Sequence, residues 1–145
     1  IFYLIKILQN KENFIDLNIV GAEVNSKKLI SQKNIKVNLI ETDEDKLIQF
    51  YDECNIFVLP SYTEGHPMVI LESLARLKPV IVFEEIQHVI GTKKGIFVSK
   101  RNKANFFELI NYIKKNYNII QIEMKKNKLP LKKDFIEDFV KILKK

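Results

Sequence analysis

Short runs of β-branched and aromatic residues recur along the chain, with stretches of helical spacing between them. The runs are Ile15–Gly21, Ile35–Ile40, Ile56–Pro60, Pro79–Phe83 and Ile96–Ser99. The third and fourth are almost continuously apolar, as strands covered on both faces are; the first two alternate and are expected nearer a sheet edge. Helices are predicted over 1–11, where Ile1, Leu4, Ile5 and Leu8 share a face, and over 43–53, 67–78, 103–117 and 131–144. Thr42 is placed to cap the second, and Asp43, Glu44 and Asp45 suit its positive end. Pro67 suits the first turn of the third. Phe106, Ile110, Ile113 and Tyr117 form one packing face, and Leu131, Phe135, Phe139 and Leu143 another. Helix and strand in alternation imply an α/β domain, a doubly wound parallel sheet with right-handed crossovers. No repeat or linker divides residues 1–145, which are read as one domain.

Composition narrows the class. A chain of 145 residues, 46% hydrophobic and 29% charged, has room for one substantial core. Its one cysteine, Cys54, has no partner for an internal disulfide and is read as a small core filler at a helix end; no Cys/His spacing resembles a zinc site. No apolar stretch approaches the ~20 residues of a membrane span, and no basic-then-apolar leader opens the chain. Because it starts at Ile1 inside an apolar run, the chain is expected to be a piece of something longer.

The net charge of +6 is unevenly spread: residues 1–92 carry −4 and residues 93–145 carry +10. A basic C-terminal third suits an anionic membrane surface or nucleic acid. Yet 22 of the 24 basic residues are Lys, only Arg76 and Arg101 are Arg, and no docking helix or aromatic interleaving accompanies them. Nucleic acid is therefore not expected as a partner.

Glycine-rich phosphate loops, His-Glu-x-x-His and Gly-x-Ser-x-Gly are absent, and Asp43-Glu44-Asp45 is explained by its helix start, so no metal is assigned. What remains is the segment Leu59 to Ala75, in which an inner strand ends at Pro60, a short loop carries Glu64 and Gly65, and a helix starts at Pro67. In doubly wound sheets such a junction lies at the carboxyl edge, where ligands bind. Unpaired backbone N–H groups and the positive end of the helix suit a pyrophosphate, and Gly65 allows close backbone approach. Glu72 lies five residues past Pro67, about 7.5 Å along the axis at 1.5 Å per residue. That offset matches the distance from a pyrophosphate to its ribose, whose hydroxyls a carboxylate accepts bidentately. Glu64 would face the group beyond the phosphates. His88 is read as a surface loop residue.

In this setting the chain resembles the C-terminal domain of the family 4 GT-B glycosyltransferases (glycosyl transferases group 1), whose signature is a Glu-x7-Glu segment. Glu64 and Glu72 match its two glutamates, Pro60-Ser61 and Gly65-His66-Pro67 the residues around the first, and Lys78-Pro79-Val80-Ile81 the following strand. Leu17-Asn18-Ile19-Val20-Gly21, the acidic helix start before Leu47, and Gly95-Ile96-Phe97-Val98 extend the likeness in order. The resemblance implies a Rossmann-like domain, with its first strand missing, that holds a nucleotide-diphosphate sugar for retaining transfer to a hydroxyl acceptor. It implies Glu64 as the catalytic residue against the donor sugar and Glu72 on the ribose hydroxyls. Gly65, His66, Pro67, Met68 and Val69 would line the sugar and phosphates. It further implies no metal or other cofactor, a cytoplasmic enzyme of surface polysaccharide or glycolipid synthesis, and a peripheral position at the inner membrane face.

The chain also departs from the family. The phosphate-clamping Arg and Lys belong after the first strand, and are expected upstream of Ile1 together with the acceptor-binding N-terminal domain. Isolated residues 1–145 are therefore expected to be inactive. With the first strand absent, either upstream sequence fills its place or the strands at 15–21 and 56–60 pair directly. Glu84-Glu85-Ile86-Gln87-His88 replaces a Gly-rich turn, and Leu77 stands where a small residue is usual. The rival reading is a non-catalytic α/β module that docks an anionic membrane or partner through residues 93–145.

Overall fold

The computed structural model describes residues 14–20, 35–40 and 44–131, and singly residues 4, 6, 8, 133, 134, 136 and 140. Its strands are β1 (Ile15–Val20), β2 (Ile35–Ile40), β3 (Phe57–Leu59), β4 (Val80–Phe83) and β5 (Ile96–Ser99). Its helices are α1 (Glu44–Glu53), α2 (Met68–Ala75), α3 (Lys103–Lys115) and α4 (Tyr117–Met124), with a 3-10 turn at Glu84–Val89. Among the described residues the strand pairs are parallel, β1 with β2 and then β3 with β4 with β5, each joined through a helix or longer segment. This is the Rossmann-like α/β architecture.

β4 is the centre of the fold. Val80, Ile81, Val82 and Phe83 have no exposed surface, because β3 and β5 flank the strand and helices cover it. Ile70 and Leu74 of α2, Phe106 and Ile113 of α3, and Ile120 and Met124 of α4 join them in one core, with Phe83 and Phe106 stacked at 5.8 Å. Each such side chain contributes about 1.5–3 kcal/mol through burial, so this strand anchors the edge on which the site is built. Leu4 and Leu8, both helical, bury against the same core. The β3 strand is half-buried rather than fully covered.

Of the two alternatives for the missing first strand, direct pairing of the strands at 15–21 and 56–60 is not seen: among the described residues β1 and β2 form one sheet and β3, β4 and β5 another. Three expectations need correcting. The helix expected over 67–78 runs only from Met68 to Ala75, with Pro67 as its N-cap. It stops because Leu77 takes the left-handed conformation (φ 55) and the N–H groups of Leu77 and Lys78 turn back to the carbonyls of Leu74 and Ser73. The helix expected over 103–117 breaks at Asn116, whose side-chain amide donates to the Tyr112 carbonyl at 2.8 Å, and α4 then follows. The buried Ile120 and Met124 continue the apolar spacing past that break. Leu131 lies on no packing face; it is exposed, and its N–H donates to Asp134 Oδ2 at the start of the last helical stretch. Thr42, Asp43, Phe135, Phe139 and Leu143 lie outside the described residues.

Candidate functional site

Register fixes the edge. Leu59, Val82 and Val98 are lateral neighbours, so the segments after β3, β4 and β5 leave the sheet side by side at its carboxyl end. The first of these, Pro60 to Pro67, carries Glu64 and leads directly into α2. Pro67 has extended backbone (φ −74, ψ 94), no side chain caps the helix, and its first turn holds no acid. The start of α2 thus keeps backbone donors and a partial positive charge, with no acid in its first turn and no side-chain cap among the described residues. By contrast, the Asn102 side chain accepts from the Asn105 N–H and closes the start of α3.

Glu64 is half-buried and does not cap α2. Its Oε1 accepts a 2.7 Å hydrogen bond from Ser61 Oγ, three residues back in the same loop. The carboxylate is therefore held within the loop ahead of the helix. Gly65, His66 and Met68 are exposed, while Pro67 and Val69 are half-buried. A Cβ built on Gly65 would meet nothing within 4 Å, so room for a ligand exists there.

Glu72 lies on α2 a turn beyond its start. It is exposed, yet its Oε2 accepts a 2.9 Å hydrogen bond from the Tyr51 hydroxyl of α1. Tyr51 is buried and its ring packs against Phe57 of β3 at 5.6 Å. Burial first, then the hydrogen bond and the charge of Glu72, push the Tyr51 phenol far above its ordinary range. Tyr51 is thus a fixed donor, and it uses one of about four acceptor positions on the carboxylate, leaving capacity for a diol.

Three residues that sequence reasoning did not assign complete the picture. Tyr51 orients Glu72, and no local pattern marks a residue so far along the chain. Arg101, in the loop after β5, reaches the carbonyls of Pro60 and Ser61, and Glu85 pairs with Arg101. Their signal was compositional: an Arg kept in a chain that otherwise uses Lys, and acids where a Gly-rich turn was expected. Partial burial acts to raise the Glu85 carboxyl, but its own backbone N–H and the Arg101 guanidinium outweigh this and hold it below the usual carboxylate range. Cys54 is half-buried just after α1, and His88 is exposed in the 3-10 turn. Among the described residues no group of three His, Cys, Asp or Glu side chains is arranged to hold a metal ion. No helix among them is long and apolar enough to cross a membrane.

A family profile described as glycosyl transferases group 1 matches residues 1–129. An uncharacterized glycosyltransferase of Haemophilus influenzae is 32% identical over 111 residues, which is 69% of this chain and 31% of that protein. The N,N'-diacetylbacillosaminyl-diphospho-undecaprenol alpha-1,3-N-acetylgalactosaminyltransferase of Campylobacter jejuni is 26% identical over 137 residues, 90% of this chain and 33% of that protein. The chain spans about a third of the length of these curated relatives.

Proposed function

The chain belongs to the glycosyl transferases group 1 family, and from that premise we propose that it is the donor-holding part of a transferase that uses a nucleotide-diphosphate sugar. The pyrophosphate sits at the start of α2 against the backbone donors of Met68 and Val69. Glu72 accepts from the ribose hydroxyls, and Glu64 faces the sugar. In the transfer, the bond from the anomeric carbon to the diphosphate oxygen breaks and one to the acceptor hydroxyl oxygen forms, with configuration retained; the acceptor proton leaves with the diphosphate. The observation that carries this reading is the uncapped start of α2, flanked by two carboxylates that are each held by a hydroxyl donor. The backbone donors and helix end offset the diphosphate's charge without a metal.

Because the chain covers a third of its relatives, the acceptor side and the remaining phosphate-binding cations are proposed to lie in sequence beyond it. The C. jejuni relative is named for a lipid-linked sugar acceptor, and a lipid-linked acceptor in glycan synthesis is proposed here too. Exposed Ile119 and Ile122 on α4, with exposed Lys125 and Lys126 beside them, support peripheral contact with anionic lipid at the cytoplasmic membrane face.

The test is thermal unfolding with uridine or guanosine diphosphate. Stabilisation of the parent, lost in Glu72→Ala at an unchanged unliganded midpoint, supports the ribose role. Equal shifts in both proteins reject it.

A further inference from the structure

We propose that Arg101 is a positioning residue of the donor site, fixing the Pro60–Pro67 segment, and Glu64 with it, against the carboxyl edge of the sheet. The proposal rests on the reading of that segment as the donor site. The Arg101 side chain is only 13% exposed, and from the segment after β5 it reaches the two other segments that leave this edge. Nη2 donates to the carbonyls of Pro60 at 3.1 Å and Ser61 at 2.8 Å, both just past β3. Nε donates to Glu85 Oε1 at 2.7 Å, just past β4. The guanidinium carbon also lies over two rings, 3.7 Å from the Tyr62 centroid and 4.2 Å from that of Phe83.

Only an arginine meets these demands together. Its planar fork serves separate acceptors while its delocalised charge rests over two aromatic rings; an ammonium is a compact point charge. In a chain with 22 Lys and two Arg, this position is one of the two exceptions. Coupling to the site runs through one residue. The Ser61 carbonyl accepts from Arg101, and the Ser61 hydroxyl donates to Glu64 Oε1 at 2.7 Å. Two hydrogen bonds therefore separate the guanidinium from the carboxylate. The acids that replace a Gly-rich turn after β4 gain a purpose as well: Glu85 anchors the other side of the clamp.

The experiment compares the parent full chain with R101A and R101K, each at a temperature where it is fully folded. Two quantities are read: affinity for uridine and guanosine diphosphate by calorimetry, and chymotrypsin cleavage after Tyr62 in the unliganded protein. R101A is expected to bind about tenfold more weakly and to be cut after Tyr62 about tenfold faster, with other sites unchanged. R101K, which keeps the charge but not the fork, should restore part of both. An R101A chain that binds like the parent, or whose Tyr62 stays as protected, overturns the positioning role alone. A parent that binds neither nucleotide overturns the donor-site reading and this role with it. Should R101A not fold, R101K decides: no loss of affinity and no faster cleavage overturns the proposal.

Discussion

The hydroxyl of Tyr51 donates to Glu72 Oε2 at 2.9 Å, tying α1 to α2 across 21 positions of sequence. A carboxylate on an exposed helix face would otherwise sample several rotamers, and ordering it on ligand binding costs about 0.5–1.5 kcal/mol. The phenol removes part of that cost in advance. Tyr51→Phe keeps the ring against Phe57 and deletes only the donor. We expect affinity for a nucleoside diphosphate to fall by up to about fivefold, with little change in unfolding free energy, because an exposed carboxylate rehydrates. Calorimetric titration of both proteins, alongside urea unfolding, checks this.

The same contact sets an alkaline limit. The Tyr51 phenol is raised in the folded chain, so its contribution to stability is complete below the ordinary phenol range. It is lost as pH climbs from that range towards the raised folded value. In an ultraviolet difference titration Tyr51 should ionise only as the chain unfolds. Tyr51→Phe should flatten the alkaline fall in unfolding midpoint, and an identical fall in both proteins counts against this account.

Glu64 and Glu72 should separate in function. Glu64→Gln preserves the side chain's size and an acceptor for Ser61 Oγ but removes the charge proposed to face the sugar. In the complete enzyme we expect sugar transfer to drop by about 10²-fold or more while nucleoside diphosphate affinity stays within about twofold of the parent. Glu72→Ala should show the reverse emphasis, with affinity lost first. Steady-state rates beside binding isotherms for the two variants distinguish the roles.

Gly95 is a packing requirement of the fold. It has φ +89, and a Cβ there would come within 2.4–2.9 Å of the Met124 side chain, which is 2% exposed. The thioether can shift, but only by disturbing the core against which β4 and β5 rest. Gly95→Ala is therefore expected to destabilise the chain by about 1–3 kcal/mol, from strain and overpacking together. Chemical denaturation measures the loss, and a neutral result would mean that Met124 repacks freely.

Much of this protein is legible along the chain because the signals are local. The continuous apolar run at β4 required coverage on both faces, and the strand, loop and helix around Glu64 and Glu72 follow from side chains within a few residues of one another. Periodicity also marked the buried face of α3. Local signals failed where a turn was decided elsewhere. The end of α2 was set by the left-handed backbone at Leu77, a position where glycine would have been the readable cue. α4 was hidden by Asn116, which breaks the helix while the apolar spacing continues into Ile120 and Met124.

The order of elements and the two carboxylates of the candidate site were thus written in the sequence itself. How those carboxylates are held was a tertiary decision. Tyr51 meets Glu72 only because the fold brings one helix against the next, and Arg101 meets Ser61 and Glu85 only because parallel pairing brings the segments after β3, β4 and β5 to one edge. Hydrogen bonds and ring stacking act over a few ångströms of space, and no spacing along the chain encodes that proximity.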